Sequence, residues 1–326
     1  MDATVAQHSS VSERHRDRIS REAFAQSPVS RLATPSGSIA YTRAGSGPPL
    51  LLVHGLGGTR RTWQAILPRL ARTFTVIAVD LPGHGESDAP LGDYSPGAQA
   101  STLRDFVLRL GLESLSLVGH SLGGGTVMQF AYQYPERTER LVLISSAGLG
   151  SEVTPLLRAA TLPGAERFIS GLPMLPRAIA HPALEALSRL PYLMSREDAA
   201  PIADALSTMG TRLHRRTFVR TARTVLDMQG QMMSATGTIA ALVDIPVLLA
   251  WGADDRAIPP EHHRRVAKRL PLAQTCEILD AGHFPQESTP MALTDAMIPF
   301  LESSIAHAYD EQRWRSRVVL GSPANG

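Results

Sequence analysis

An open, mostly parallel β-sheet covered by helices on both faces is the architecture this sequence predicts, and three observations carry that expectation. Between residues 31 and 150, short β-rich runs alternate with longer helical patterns, the sequence form of strands joined by crossover helices. Most of these runs are continuous apolar stretches, as strands buried on both sides require. One of them leads into Gly119-His120-Ser121-Leu122-Gly123, a glycine-flanked serine that reads as a sharp strand-to-helix turn.

In chain order, residues 31–43 read as a hairpin around Pro35-Ser36-Gly37. Strands are expected at 50–53, 74–79, 115–118, 141–144, 247–250 and 275–279, and a helix over 126–134 follows the serine turn. The alternation breaks after Gly150. From there to residue 244 the chain is rich in Leu, Ala, Arg and Pro, holds six of the ten methionines and contains no strand pattern, so an inserted helical subdomain is expected. Pro163, Pro173, Pro176, Pro182, Pro191 and Pro201 should keep its helices short, because proline ends or kinks a helix. The expected organisation is a loose leader over 1–30, a first core part over 31–150, a helical cap over 151–244, a second core part over 245–302 and a loosely docked tail over 303–326.

Bulk properties narrow the classes of function. With 326 residues and 43% hydrophobic content, the chain can bury one large core plus an insertion, which excludes disorder throughout. Its 32 basic and 30 acidic residues leave a net charge of +2, so no global field favours nucleic acid or anionic membranes as partners. The single cysteine, Cys276, cannot form an internal disulfide and reads as a packed thiol in a strand. The leader carries Arg14, Arg16, Arg18 and Arg21 without an apolar signal-peptide core, and no run approaches the roughly 18 apolar residues of a transmembrane segment. A cytoplasmic location is therefore the expectation. His262-His263 lacks the helical spacing of a zinc pair, and no G-x-G-x-x-G or G-x-x-x-x-G-K-[ST] segment is present to bind a nucleotide.

Chemistry concentrates at strand ends. Three fixed positions give on the order of 0.1 chance matches to the serine turn in a chain this long, so the turn needs support from elsewhere. A serine hydroxyl requires a neighbouring base, and that base requires an acid to fix its tautomer. His283, in Asp280-Ala281-Gly282-His283-Phe284-Pro285 after the last strand, is the candidate base. Asp255, in Trp251-Gly252-Ala253-Asp254-Asp255 after the preceding strand, is the candidate acid; Asp254 competes, and spacing to Pro259 favours Asp255. In an open α/β sheet such strand ends converge on one crevice. Two backbone N–H groups must then meet the developing oxyanion. Leu122 would supply one, and the loop His54-Gly55-Leu56-Gly57-Gly58 the other, through Leu56.

With these residues in place, the chain resembles the α/β-hydrolase fold family over roughly residues 31–302. The serine turn, the His-Gly loop at 54–58, Asp80-Leu81-Pro82-Gly83-His84-Gly85-Glu86-Ser87, the Trp-Gly-x-x-Asp block ending at Asp255 and Gly282-His283 match in order. The resemblance implies a Ser-Asp-His hydrolase without metal or organic cofactor, places the insertion where that family carries its cap, and also favours Asp255 over Asp254. The leading expectation is a small carboxylic ester with an apolar acyl or alcohol part, which a Leu- and Met-rich cap would bury, with C–C bond hydrolysis of ring-fission products or cofactor-free perhydrolysis, both known among relatives, as alternatives. A hydrolase-like ligand receptor is the non-enzymatic rival. Asp80, His54 and His84 are expected to order loops, and His120 to point away from the pocket as a structural residue. Arg212, Arg216, Arg220 and Arg223 fall on one side of a predicted helix, as a solvated face or as a grip for a substrate carboxylate.

Overall fold

The computed structural model describes residues 28–171, 177–189, 194–232 and 239–320. Nearly all of the expected leader, together with Pro173, Pro176 and Pro191, lies outside them. Eight strands form one sheet: β1 (Ser30–Thr34), β2 (Gly37–Ala44), β3 (Pro49–Val53), β4 (Thr75–Val79), β5 (Leu115–His120), β6 (Thr138–Ile144), β7 (Val247–Gly252) and β8 (Ala273–Ile278). Their order across the sheet is β1-β2-β4-β3-β5-β6-β7-β8. The β1–β2 and β2–β4 pairs are antiparallel and all others parallel. The expected sheet, helix-covered on both faces, is thus present, with strand ends shifted by a few residues.

The two-residue period of the strands sorts their side chains into two cores. Leu51 and Val53, with Ile77, Leu117 and Leu143, pack on one face, against Leu103 and Phe106 of α2 (Pro96–Arg109) and Val127 and Phe130 of α3 (Leu122–Gln133). Leu50 and Leu52, with Val118, Val142 and Leu248, pack on the other, against Trp63, Leu67 and Leu70, the last two from α1 (Leu67–Leu70). A strand with no polar face has nowhere else to lie than between two helical layers.

Between β6 and β7 the described residues form only helices and a single isolated bridge: α4 (Pro155–Ala159), α5 (Ala165–Gly171), α6 (Arg177–Leu187), α7 (Ala199–Thr208), α8 (Arg212–Val225) and a short 3-10 turn at Ile239–Leu242. Pro182 lies inside α6, where a helix end or kink was expected, and Pro201 sits in the first turn of α7. The first turn tolerates proline because its N–H groups have no helical acceptor.

After β7 come α9 (Glu261–Ala267), α10 (Pro285–Ser288) and α11 (Pro290–Ser303), whose Met297, Phe300 and Leu301 join the second core. The region expected as a loose tail carries a helix instead, α12 (Glu311–Leu320). The His307 N–H donates to Glu139 O at 2.9 Å, Trp314 packs on Tyr132, and Arg317 pairs with Asp244 at 2.8 Å. The charged composition that suggested a tail faces solvent and supplies the docking ion pair. Among the described residues no helix is long and apolar enough to cross a membrane.

The sheet order positions the functional loops. After β3 the chain steps outward to β4, then crosses back to lay β5 on the other side of β3. The loops leaving β3 and β5 therefore part in opposite directions and open a crevice at their carboxyl ends, as at the switch points of open α/β sheets.

Candidate active site

Ser121 stands between the last residue of β5 and the first of α3, with φ 53° and ψ −120°. A non-glycine residue there is strained, and such strain persists only where the surroundings over-determine it. The flanking glycines show how the turn is held. A Cβ at Gly119 would strike the backbone of Gly123 and Gly124, and one at Gly123 would strike the carbonyls of Val53 and His54. The spacing of the motif is thus a packing requirement that lifts the Ser121 hydroxyl above the sheet.

His283 and Asp255 meet that hydroxyl. His283 Nε2 lies 3.0 Å from Ser121 Oγ, and His283 Nδ1 lies 2.9 Å from Asp255 Oδ2. Asp255 accepts only, so Nδ1 carries the proton and Nε2 is free to accept from the serine. The other carboxylate oxygen, Asp255 Oδ1, accepts the Ala257 and Ile258 N–H groups, both at 2.9 Å, which fixes its rotamer. Burial pulls the His283 pKa down, but the charge and hydrogen bond of Asp255 and the charge of Asp198 outweigh it and hold the imidazole above its ordinary value. Asp254 is half exposed and pairs with Arg256 on the surface.

The β3 loop lies against the serine: a Cβ on Gly55 would fall 2.9 Å from Ser121 Cβ. Leu56 from that loop and Ser121 share the wall of one cavity, and Leu122 is the first residue of α3. Second contacts hold the loop. His54 donates from Nδ1 to Gly55 O at 2.7 Å and accepts the Leu81 N–H at Nε2, 3.0 Å away. Asp80 accepts from the Arg60 N–H at 2.6 Å, from the Glu86 N–H at 2.9 Å and from the Arg60 guanidinium.

His120 departs from expectation. It borders the cavity, its Nε2 donates to His283 O at 2.7 Å, and its ring packs on His283 and Phe284. Its side chain leaves the end of β5 on the side where the β8 loop arrives, and strand order alone decides that. Burial, reinforced by the neighbouring His283 charge, drives its pKa well below the ordinary value, so it stays neutral. Sequence reasoning missed Asp198, which is buried and borders the same cavity. An aspartate just before Ala-Ala-Pro reads as an ordinary helix cap, so no local signal could have found it.

The cavity holds about 1150 Å³ between the sheet edge and the helical insertion. Leu157, Ile169, Leu184, Ile202, Met209 and Phe218 supply much of its apolar wall. On α8 the arginine stripe lies elsewhere: Arg216 and Arg223 pair with Glu166, and Phe218 is the α8 residue that reaches the cavity.

Burial also holds His54 at about 4 and His84 at about 3, so both stay neutral in the fold. An unfolded chain would protonate them below pH 6.5, near the ordinary histidine value. At these two sites the folded chain then binds fewer protons than the unfolded one, and their contribution to stability falls as pH drops from about 6.5 toward 4, while His283, with its raised pKa, works the other way. Urea unfolding should register about 1.4 kcal/mol lost per histidine per pH unit. A flat stability between pH 7 and 5 would show these side chains to be solvated.

Fold and site together define a hydrolase-type architecture, and sequence comparison gives the same answer. The chain belongs to the α/β-hydrolase fold family, whose model matches residues 48–290. It is 35% identical over 297 residues to an uncharacterized protein of Mycobacterium tuberculosis, covering 86% of this chain and 83% of that one. It is 27% identical to a 2-hydroxy-6-oxo-6-phenylhexa-2,4-dienoate hydrolase of Burkholderia cepacia, over 79% of this chain and 89% of that one. Among solved structures, a thermophilic esterase from Thermogutta terrifontis superposes with a TM-score of 0.67 at 25% identity, covering 85% of this chain and 98% of that one.

Proposed function

We propose that the protein is a serine hydrolase that cleaves a carboxylic ester with an apolar acyl or alcohol part through an acyl-enzyme. The observation that carries this reading is the Ser121–His283–Asp255 relay opening onto a large apolar cavity. Ser121 Oγ attacks the carbonyl carbon while its proton passes to His283 Nε2. The backbone N–H groups of Leu56 and Leu122 hold the oxyanion, and Asp255 steadies the imidazolium. His283 then gives the proton to the departing alcohol. Water repeats the sequence on the acyl-enzyme and releases the acid.

The cap, residues 151–244, would select the substrate. Apolar walls favour acyl chains that fill them, by up to about 0.8 kcal/mol per buried methylene, or about fourfold in kcat/KM. p-Nitrophenyl esters from acetate to decanoate are therefore expected to improve with chain length until the cavity is full. A steady decline beyond acetate would refute the apolar-acyl reading.

Carbon–carbon cleavage of a ring-fission product is the second reading, supported by the resemblance to the Burkholderia cepacia hydrolase. The charge around the cavity favours the ester. Among the described lining residues Arg61 is the one guanidinium, and the wall is mostly apolar, a poor setting for a dienoate carboxylate. Faster turnover of 2-hydroxy-6-oxo-6-phenylhexa-2,4-dienoate than of any ester would reverse that preference.

A further inference from the structure

We propose that Asp198 is a positioning residue for His283, a carboxylate delivered by the helical cap that couples cap seating to the orientation of the catalytic base. Asp198 occupies the N-cap position of α7, yet its side chain makes no capping bond to its own helix. An aspartate at that position ordinarily accepts from the helix's own second or third N–H. Here Asp198 Oδ1 accepts the backbone N–H of His283 at 2.8 Å and of Phe284 at 3.3 Å. The side chain is 1% exposed, and the approach is tight: a Cβ on Gly282 would fall 2.5 Å from Asp198 Oδ1.

His283 is thereby held through its backbone on both sides and through its ring. Its N–H goes to Asp198, its carbonyl to His120 Nε2, and its ring Nδ1 to Asp255. Of these three, only Asp198 belongs to the cap. The same cap segment also meets the acid loop, where Arg256 donates to Met194 O at 3.3 Å. One stretch, residues 194–198, therefore touches both the base loop and the acid loop. If the cap shifts, the N–H contacts to residues 283 and 284 go with it, and the base loses one of its anchors. A displacement near 1 Å at a catalytic group can cost about 100-fold in rate.

Asp198 is also a second carboxylate near the imidazole. The groups facing His283 are Asp255 from the β7 loop, Asp198 from the cap, and Ser121 and the neutral His120 from the β5 end. Burial raises the Asp198 pKa, and the nearby His283 charge, the Ser195 hydroxyl and the His283 N–H oppose that rise. The Asp198 charge in turn favours protonated His283. Removing it should move the acid limb of the rate profile to lower pH, an effect that lost packing alone would not produce.

The proposal rests on the serine-hydrolase reading, and the experiment separates the two. Full-length parent, Asp198→Asn and Asp198→Ala proteins are labelled with a fluorophosphonate, then assayed on p-nitrophenyl butyrate across pH. Expected are Ser121 labelling in the parent, a drop of about 10- to 100-fold in kcat for Asp198→Ala with KM within about threefold, and substantial recovery in Asp198→Asn, whose amide oxygen still accepts the N–H groups. Both variants should shift the acid limb to lower pH. A labelled parent with unmoved limbs in the variants overturns the role of Asp198 alone; an unlabelled parent overturns the serine reading, and this proposal with it. Where Asp198→Ala fails to fold, the Asp198→Asn limb decides.

Discussion

Replacing Ser121 with alanine is expected to lower kcat on p-nitrophenyl esters by about 10⁶-fold, the loss typical of removing a nucleophile from a relay that works as a unit. Residual turnover above the solution rate would come from the Leu56 and Leu122 N–H groups and from substrate binding. The fold should be unharmed. Alanine and serine meet the same strain at φ 53°, and the removed hydroxyl's hydrogen-bond partner in the fold is His283, so the melting temperature should stay close to that of the parent. Ser121→Gly supplies a sharper control: glycine relieves backbone strain of about 1–3 kcal/mol, so that variant should be inactive yet melt higher. Parent-like turnover in Ser121→Ala would end the acyl-enzyme mechanism. An unchanged melting temperature in Ser121→Gly would show that the elbow stores no strain.

Asp255→Asn is expected to cost about 10⁴-fold in kcat with little change in structure. An amide facing His283 Nδ1 can present its N–H₂ group, which favours the tautomer with the proton on Nε2. That nitrogen then cannot accept from Ser121. The pH dependence follows from the same contacts. The base works only when neutral, and Asp255 and Asp198 hold the His283 pKa above 6.5, so activity in the parent should fall as pH drops through a midpoint higher than 6.5. Loss of the Asp255 charge stabilises neutral His283, and the acid limb moves to lower pH. Asp254→Asn makes the contrasting control. Its partner Arg256 is a surface ion pair worth at most about 1 kcal/mol, and turnover should stay near the parent rate. A large loss in Asp254→Asn with little in Asp255→Asn would reassign the acid.

Much of this site is written locally. A glycine pair around a serine, placed between an apolar β run and a helix, describes its own backbone geometry, because only a side chain without a Cβ fits where Gly119 and Gly123 touch neighbouring backbone. Continuous apolar runs such as residues 50–53 announce burial on both faces, and the structure divides them between two cores as a two-residue period demands. Asp255 sits in a turn whose own N–H groups at Ala257 and Ile258 cap its carboxylate, and spacing to Pro259 with the family pattern set it apart from Asp254.

Other features had no local trace. His120 read as a structural residue turned away from the pocket, and Asp198 drew no reading. The arginines of α8 read first as a solvated face, with a grip on a substrate carboxylate as the alternative. Pro182 looked like a helix end, and the charged chain after residue 303 like a tail. Each depends on what lies opposite in space, at separations such as the 163 residues between His120 and His283 or the 85 between Asp198 and His283.

Short-range sterics, hydrogen bonding and hydrophobic period made the core strands, the sharp turn at Ser121 and the residue types at the strand ends legible in the chain. Only the tertiary structure decided which ends became neighbours. The crossing from β4 to β5 puts the Leu56 loop beside Ser121, the parallel run from β5 to β8 brings His283 Nε2 to 3.0 Å from Ser121 Oγ, and the seating of the helical insertion sets Asp198 against the His283 backbone. The physical reason is that proximity across the sheet comes from strand order and from the burial of two large cores, and neither is recorded in any window of residues short enough to read.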